Sequence, residues 1–475
     1  MIRGRHMSGP QTTGSRALVL VALVAMLASA CTVGPNYKRP PVKMPDVFRS
    51  QTQDSGVARQ VSFADERWST VFDDEVLRRL IATALAENFD LQIAASRILQ
   101  AEAQLGISKA DQRPTINGQA SGQGGYGSIV NGQKLPLVGI AQLGGSLSWE
   151  ADFWGKYRRA TEAARAQIAA SEWGRRAIVT SLVSQVASEY FVLRSLDSEL
   201  DISRRTLTSR DESLRLTRVR EQGGVTSLVD VRQAEQLVFT AQGQIVDLQR
   251  RIEQQENSLS VLLGTNPGAI ERGRALTDQS HAPEVPEGLP STLLDRRPDI
   301  QQAEQDIVAA NARIGVAKAS YFPQIALTGS GGVASTALSS LFTAGVWTVG
   351  ASAVQPIFNA GRNRSQVALA EARRQEADIA YRQTIQRAFR EVSDAIVGYR
   401  RQREFRETQE SLLRAAQDAR RLADLRYQGG ATSYLEVLDS DTRLFAAELG
   451  LVQAQLNELS EFVEIYRSLG GGWQS

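Results

Sequence analysis

The chain carries the same plan twice. Asp90-Leu91-Gln92 through Lys109-Ala110, with Pro114 and Ile116 beyond, matches Asp299-Ile300-Gln301 through Lys318-Ala319, with Pro323 and Ile325 beyond. Within that stretch Ile98, Ala101, Ala103 and Gly106 meet Ile307, Ala310, Ala312 and Gly315. Further on, Gly155 and Arg158 pair with Gly361 and Arg364, and Gln222-Gly223-Gly224-Val225-Thr226-Ser227 pairs with Gln428-Gly429-Gly430-Ala431-Thr432-Ser433. The pairings keep one order and nearly one offset. A tandem duplication of about 200 residues is far longer than a solenoid period, so whatever the first copy folds into, the second must fold into again.

Each copy reads as helix, β-hairpin, long helix, tight break, long helix. From Tyr157 to about Glu221 there is no proline and Gly174 alone interrupts the helix formers; from Arg364 to about Tyr427 the pattern recurs with Gly398. A run of that length makes a helix of roughly 95 Å at ~1.5 Å per residue. The pairs Gly223-Gly224 and Gly429-Gly430 end these helices as a C-terminal glycine does, and Thr226-Ser227 and Thr432-Ser433 are placed to cap the returning ones. The first copy covers 67–270, with its β-hairpin at about 114–153 and its helical hairpin at about 155–264. A linker at 271–296 leads to the second copy, 297–475, with a β-hairpin at about 323–358, a helical hairpin at about 361–469 and a short tail.

The β-hairpins separate this plan from a plain coiled-coil spacer. Leu143, Gly145, Leu147, Trp149 and Ala151 alternate with Gln142, Gly144, Ser146, Ser148 and Glu150. In the second copy Trp347, Val349, Ala351 and Ala353 alternate with Thr348, Gly350 and Ser352, and Ile325 and Leu327 with Gln324, Ala326 and Thr328. Alternation over about 9 to 11 residues marks a strand with one apolar and one wet face. Two hairpins give four strands, and an open sheet in hydrocarbon would leave its edge amides unsatisfied. A barrel needs at least about eight strands, so membrane-spanning hairpins require several copies. Two chains would give eight strands and three would give twelve; the pattern does not choose.

The N-terminus carries a secretory signal over 1–30. Arg3, Arg5 and Arg16 precede an apolar stretch from Ala17 to Leu27, then Ala28-Ser29-Ala30-Cys31. A basic region, a short apolar core and small residues before a cut are a cleaved signal and not a membrane span. The sole cysteine falls where a lipobox places its acylated residue, although Ala28 stands where that motif usually has Leu. Thr32 follows, not the Asp that retains such lipoproteins in the inner membrane. Cys31 is therefore expected to carry covalent lipid, with 31–66 as a tether and the outer membrane as destination; lipid contributes roughly 0.8 kcal/mol per buried methylene. Net charge is +2, so no overall field favours nucleic acid. The only histidines are His6, in the signal, and His281, in a Pro-rich loop. That is too little for a zinc site or a Cys/His catalytic pair.

At this point the residues resemble a known family. Cys31-Thr32-Val33-Gly34-Pro35-Asn36-Tyr37-Lys38-Arg39-Pro40, Trp68 with Phe72-Asp73-Asp74, Leu262-Leu263-Gly264 before Pro267-Gly268, Arg296-Arg297-Pro298-Asp299-Ile300, and Ala317-Lys318-Ala319 to Tyr321-Phe322-Pro323-Gln324-Ile325 together resemble the outer-membrane efflux proteins. The likeness is to the TolC-like lipoproteins of the NodT type, which serve resistance-nodulation-division pumps, and it runs from Cys31 to about Leu469. It implies a mostly α-helical chain with a transmembrane β-barrel part, a homotrimer closing twelve strands, and long helical hairpins forming a periplasmic tunnel. It also implies a periplasmic adaptor (membrane fusion) protein and an inner-membrane proton-driven pump as partners, with drugs or other small toxic compounds as cargo. No cofactor beyond the lipid on Cys31 and no enzymatic reaction is implied.

The resemblance also places a gate at the tip of the second helical hairpin. Leu435 and Asp439 match an apolar constriction and a ring of acids, and being four apart they share one helical face. Arg426 and Tyr427, just before the tip, match residues that bond across to a neighbouring hairpin, with Arg220 and Asp230 as the expected partners; Tyr434 begins the return. In place of an Arg often found three residues after the acid this chain has Thr442, with Arg443 next to it and Asp441 as an additional acid. Rival readings are a lipid-anchored periplasmic adaptor or scaffold, a lipoprotein enzyme, and an exit duct for protein secretion or metal export. The duplication with two strand pairs disfavours the first, the missing Cys/His chemistry and phosphate loop the second, and the lack of a His or Met cluster gives metal export no support.

Overall fold

The computed structural model describes residues 32–44, 62–126, 137–279, 292–336, 342–343 and 345–474. The signal, Cys31, residues 45–61 of the tether and His281 lie outside them.

The duplication is carried into the long helices at equal length. Helix α1 spans Glu75–Glu87 and α2 Phe89–Ala110, followed by strands β1 (Thr115–Tyr126) and β2 (Leu137–Ala151) and helices α3 (Lys156–Gln222) and α4 (Leu228–Leu262). The second copy gives α5 (Pro298–Ala319), β3 (Gln324–Ser335), β4 (Gly345–Val354), α6 (Arg362–Gln428) and α7 (Tyr434–Ser468). Helices α3 and α6 each run 67 residues, α4 and α7 each 35, and α2 and α5 each 22, so the repeat preserves length as well as order. Among the described residues no helix is long and apolar enough to cross a membrane.

The chain divides into two compact units. One comprises Met1–Pro41, Ile98–Ser171 and Ala303–Tyr381 and contains the sheet; the other comprises Val42–Arg97, Glu172–Gln302 and Arg382–Ser475 and contains most of the helical mass. In the first unit the four strands pair antiparallel in chain order. Their register sorts the side chains cleanly, because successive residues of a strand point to opposite faces. Leu143 faces Val333, Leu147 faces Ile116 and Gly329, and Trp149 faces Leu327, with Ala351 beyond it, all on one face. Ser146 faces Asn117 and Ser330, and Ser148 faces Thr115 and Thr328, on the other. Between β2 and β3, Gly144 and Gly332 leave no room for a side chain: a Cβ on Gly332 would run into the Leu143 carbonyl oxygen and one on Gly144 into that of Gly331. Strands β1 and β4 each pair on one side only, so the sheet of the single chain ends in two free edges.

The second unit is built round an aromatic core. Phe63 packs on Phe462 and Tyr466 at centroid distances of 5.2 and 5.4 Å, and Phe72 meets Tyr466 edge-on. Tyr190 and Tyr466 are fully buried, and each hydroxyl finds a partner, Asp74 for Tyr190 and the Glu66 carbonyl for Tyr466. Asp74 caps α1 by accepting from the amides of Val76 and Leu77, and also accepts from the Gln279 side chain and the Arg274 amide. Burial alone would push its carboxyl up, but these donors hold it below the ordinary aspartate value.

Candidate functional site

Two places carry the candidate residues: the segment after Cys31 and the tips of the helical hairpins.

Cys31 itself is outside the described residues, but the chain from Thr32 is clamped within the sheet-bearing unit. The Val33 amide donates to the Trp154 carbonyl. Arg159, buried to 4 % exposure, donates to the carbonyls of Val33 and Gly34 and to the Asn36 side chain. Asn311 donates to the Pro35 carbonyl, while the Tyr37 hydroxyl and a two-pronged Arg39 both donate to Glu304. Gly34 adopts φ +103° and lies against Gly315, where a Cβ would come within 2.5 Å of the Gly315 Cα. This strap therefore locks the residue after Cys31 beside Gly155, in the turn from β2 to α3, where Trp154 stacks on Phe322 at 4.7 Å and donates to the Pro323 carbonyl.

At the tips both helical breaks close the same way. Val225 and Ala431 donate back to the carbonyls of Arg220 and Arg426, and Gly224 and Gly430 stand at φ +71° and +74°. A residue in that left-handed region is the usual end of a helix, and glycine adopts it without a Cβ clash. Gly223 and Gly429 precede them, donating to the carbonyls of Val219 and Leu425. The following caps differ between the copies. Ser227 caps α4 in a reciprocal box with Asp230. Ser433, expected to do the same for α7, makes no side-chain cap, although Thr432 donates to Glu436 as Thr226 does to Asp230.

The tip residues named from sequence fall into three groups. Tyr427 and Tyr434 are buried in a small apolar cluster with Leu214, Val231, Ala234, Val238, Ala423 and Val437, their rings 5.4 Å apart. Arg220 lies over the Tyr427 ring at 4.4 Å, which brings these two together. Arg426 pairs with Glu436 at 3.4 Å and Asp230 turns into its own cap, so the structure joins neither of them to the other hairpin. Burial would raise the Asp230 carboxyl, yet Thr226 and Ser227 donate to it and hold it below its ordinary value. Leu435 is 61 % exposed. Asp439, also exposed, pairs at 2.8 Å with Arg443 one turn on.

Sequence reasoning passed over a buried ion cluster beneath this tip. Arg210 of α3 donates through Nε to Asp441 of α7 at 2.8 Å, and Arg420 of α6 approaches the other carboxylate oxygen at 3.4 Å. A signal was there to find. Leu207, Arg210 and Leu214 form one helical stripe, as do Arg420, Ala423 and Tyr427, and Tyr434, Val437 and Asp441; each charge occupies a position in the stripe where the spacing calls for an apolar residue. Among the described residues there is no group of three or more His, Cys, Asp or Glu that could hold a metal ion.

Comparison with known proteins points one way. The sequence model of the family described as outer membrane efflux protein matches residues 80–265 and 289–471, one stretch in each copy. The cation efflux system protein CusC of Escherichia coli O6:H1 is 35% identical over 457 residues, covering 95% of this chain and 98% of CusC. The probable outer membrane lipoprotein SilC of Salmonella typhimurium is 35% identical over 459 residues, covering 96% and 98%. Among solved structures, the open state of the MtrE outer membrane channel of Neisseria gonorrhoeae superposes with a TM-score of 0.84 at 32% identity, covering 93% of this chain and 99% of that one.

Proposed function

The chain belongs to the outer membrane efflux protein family, and on that premise we propose that three copies close their sheets into one twelve-stranded barrel. It is an outer-membrane exit duct of an efflux pump. The assembly is a passive conduit, lipid-anchored at Cys31, that takes small toxic compounds from a periplasmic adaptor and an inner-membrane pump to the exterior. Energy comes from the pump; the duct opens and closes.

The observation that carries this reading is the sheet. Its apolar face suits hydrocarbon and its Ser, Thr, Gln and Asn face suits a water-filled lumen. Its two free edges cannot stay unpaired in a bilayer, where no water replaces the missing hydrogen bonds. Pairing β4 of one copy with β1 of the next satisfies both edges with no new element. The strap adds support for the anchor, since it fixes the residue after Cys31 in the turn that follows β2. Gating belongs to the tips, where Leu435 and Asp439 are exposed and free to line an aperture. Cargo choice rests mainly with the pump, because a wide wet tunnel selects little.

The test is to purify the mature protein in detergent, weigh the oligomer, and record single-channel conductance in planar bilayers. Three copies per particle, a conducting channel and an acylated N-terminal cysteine in the intact mass are expected. A soluble, non-conducting oligomer in the absence of detergent would overturn the barrel and leave a helical scaffold.

A further inference from the structure

We infer that Asp441 is the residue that positions the two helical hairpins at the tip: held between Arg210 and Arg420, it ties the second hairpin to the first and sets how readily they part. The inference rests on the duct reading and assigns its hold to residues outside the exposed gate.

The geometry is specific. The Arg210 and Asp441 side chains are 4 % and 11 % exposed and Arg420 13 %, so all three charges are largely out of water. Arg210 stands on α3 of the first hairpin; besides Asp441 it donates to the Leu237 carbonyl on α4, and its guanidinium lies 5.0 Å from the Phe445 ring of α7. Arg420 and Asp441 stand on the two arms of the second hairpin, and Arg420 is further paired with Asp424 on its own helix. One turn nearer the tip the hydroxyls of Ser213 and Tyr434 meet at 3.0 Å, a second polar tie from α3 to α7. The exposed pairs nearby stay within one hairpin: Asp439 with Arg443, Arg426 with Glu436, Arg218 with Glu235.

Solvation decides which contacts matter. An exposed pair exchanges its partner for water at little cost, whereas breaking a buried pair leaves a charge without solvent or counter-charge. Parting the hairpins separates Asp441 from Arg210. Removing the Asp441 carboxylate leaves the buried Arg210 guanidinium without its counter-charge, while Arg420 keeps Asp424. The Tyr427 hydroxyl is buried with no hydrogen-bond partner among the described residues, and Asp230 is engaged in its own cap, so neither supplies a competing polar tie.

The experiment uses the full-length chain in planar bilayers. Asp441→Asn should raise the open fraction by about tenfold or more, the change expected when a buried pair loses one partner. Arg210→Met should raise it less, since Asp441 keeps Arg420, and Asp441→Glu should lie near the unmutated chain. Arg406→Gln serves as control: it breaks a comparable buried pair with Glu458 that lies wholly within the second hairpin. It should lower the unfolding temperature while leaving conductance unchanged. An Asp441→Asn channel that conducts like the unmutated one overturns the inference, as does Arg406→Gln opening the duct equally. An unmutated protein that forms no channel overturns the duct reading itself; a conducting protein indifferent to position 441 overturns this assignment alone.

Discussion

The guanidinium of Arg220 lies over the ring of Tyr427, 4.4 Å from its centroid, and so joins the last turn of α3 to the last turn of α6. The contact uses the ring and not the hydroxyl, which is buried without a hydrogen-bond partner among the described residues. Tyr427→Phe keeps the face that attracts the cation and removes an unsatisfied polar atom, so it should be neutral or stabilising by up to about 1 kcal/mol. Tyr427→Ala removes the ring from the tip cluster and should cost about 3 kcal/mol. Thermal unfolding of the two variants beside the parent checks this. A Phe variant as damaged as the Ala variant would mean that the hydroxyl has a partner beyond the single chain.

Asp74 gives a pH dependence whose sign follows from its partners. Tyr190, Gln279 and three backbone amides donate to a carboxylate that burial would otherwise penalise, and the folded carboxyl is held below its ordinary value. A group depressed on folding stabilises the protein fully above its unfolded value, near 4. That stability is lost as the pH falls through the lower folded value. Asp74→Asn should cost about 2 kcal/mol at pH 7, because an amide cannot accept from so many donors. Unfolding midpoints measured from pH 7 to pH 3 should converge between parent and variant; parallel curves would remove Asp74 as the source.

Much of this architecture was legible in the residues because it is repetitive. The Gly-Gly breaks, the proline-free runs and the alternating strands each follow a period, and the duplication shows every period twice. Long-range polar ties have no period. Glu304 is bonded by Tyr37 and Arg39 more than 260 residues away in sequence, and nothing at Glu304 announces it. Ser433 looks identical to Ser227 in sequence, yet only Ser227 caps its helix through its side chain. Arg210, Arg420 and Asp441 could have been singled out as charges on apolar stripes. Their mutual pairing needed the packing of four helices.

Gly34 tests the strap. Its φ of +103° is open to glycine, and a Cβ there would run into the Gly315 backbone. Gly34→Ala should therefore cost about 2 kcal/mol of local stability through backbone strain and the clash. The bonds from Arg159 and Arg39 on either side should loosen with it. Limited proteolysis should then cut within 32–40 in the variant but not in the parent. Equal protection in both would show that the side-chain bonds hold the segment without the glycine contact.

Asp439 and Arg443 form an exposed pair at 2.8 Å, with side chains 58% and 75% accessible. Exposed pairs contribute little, so Asp439→Ala should leave the unfolding temperature nearly unchanged. Conduction is a different matter if this face lines the aperture, because each copy then presents a carboxylate and a guanidinium together. Asp439→Ala leaves the cation alone and should move the reversal potential in a KCl gradient toward anions. Arg443→Gln leaves the carboxylate alone and should move it toward cations. Both shifts should shrink between 0.1 and 1 M salt, as the screening length falls from about 10 to about 3 Å. Opposite shifts of the two variants would place the pair at the pore; no shift in either would place this face away from the ion path while leaving the buried Arg210–Asp441 tie untouched.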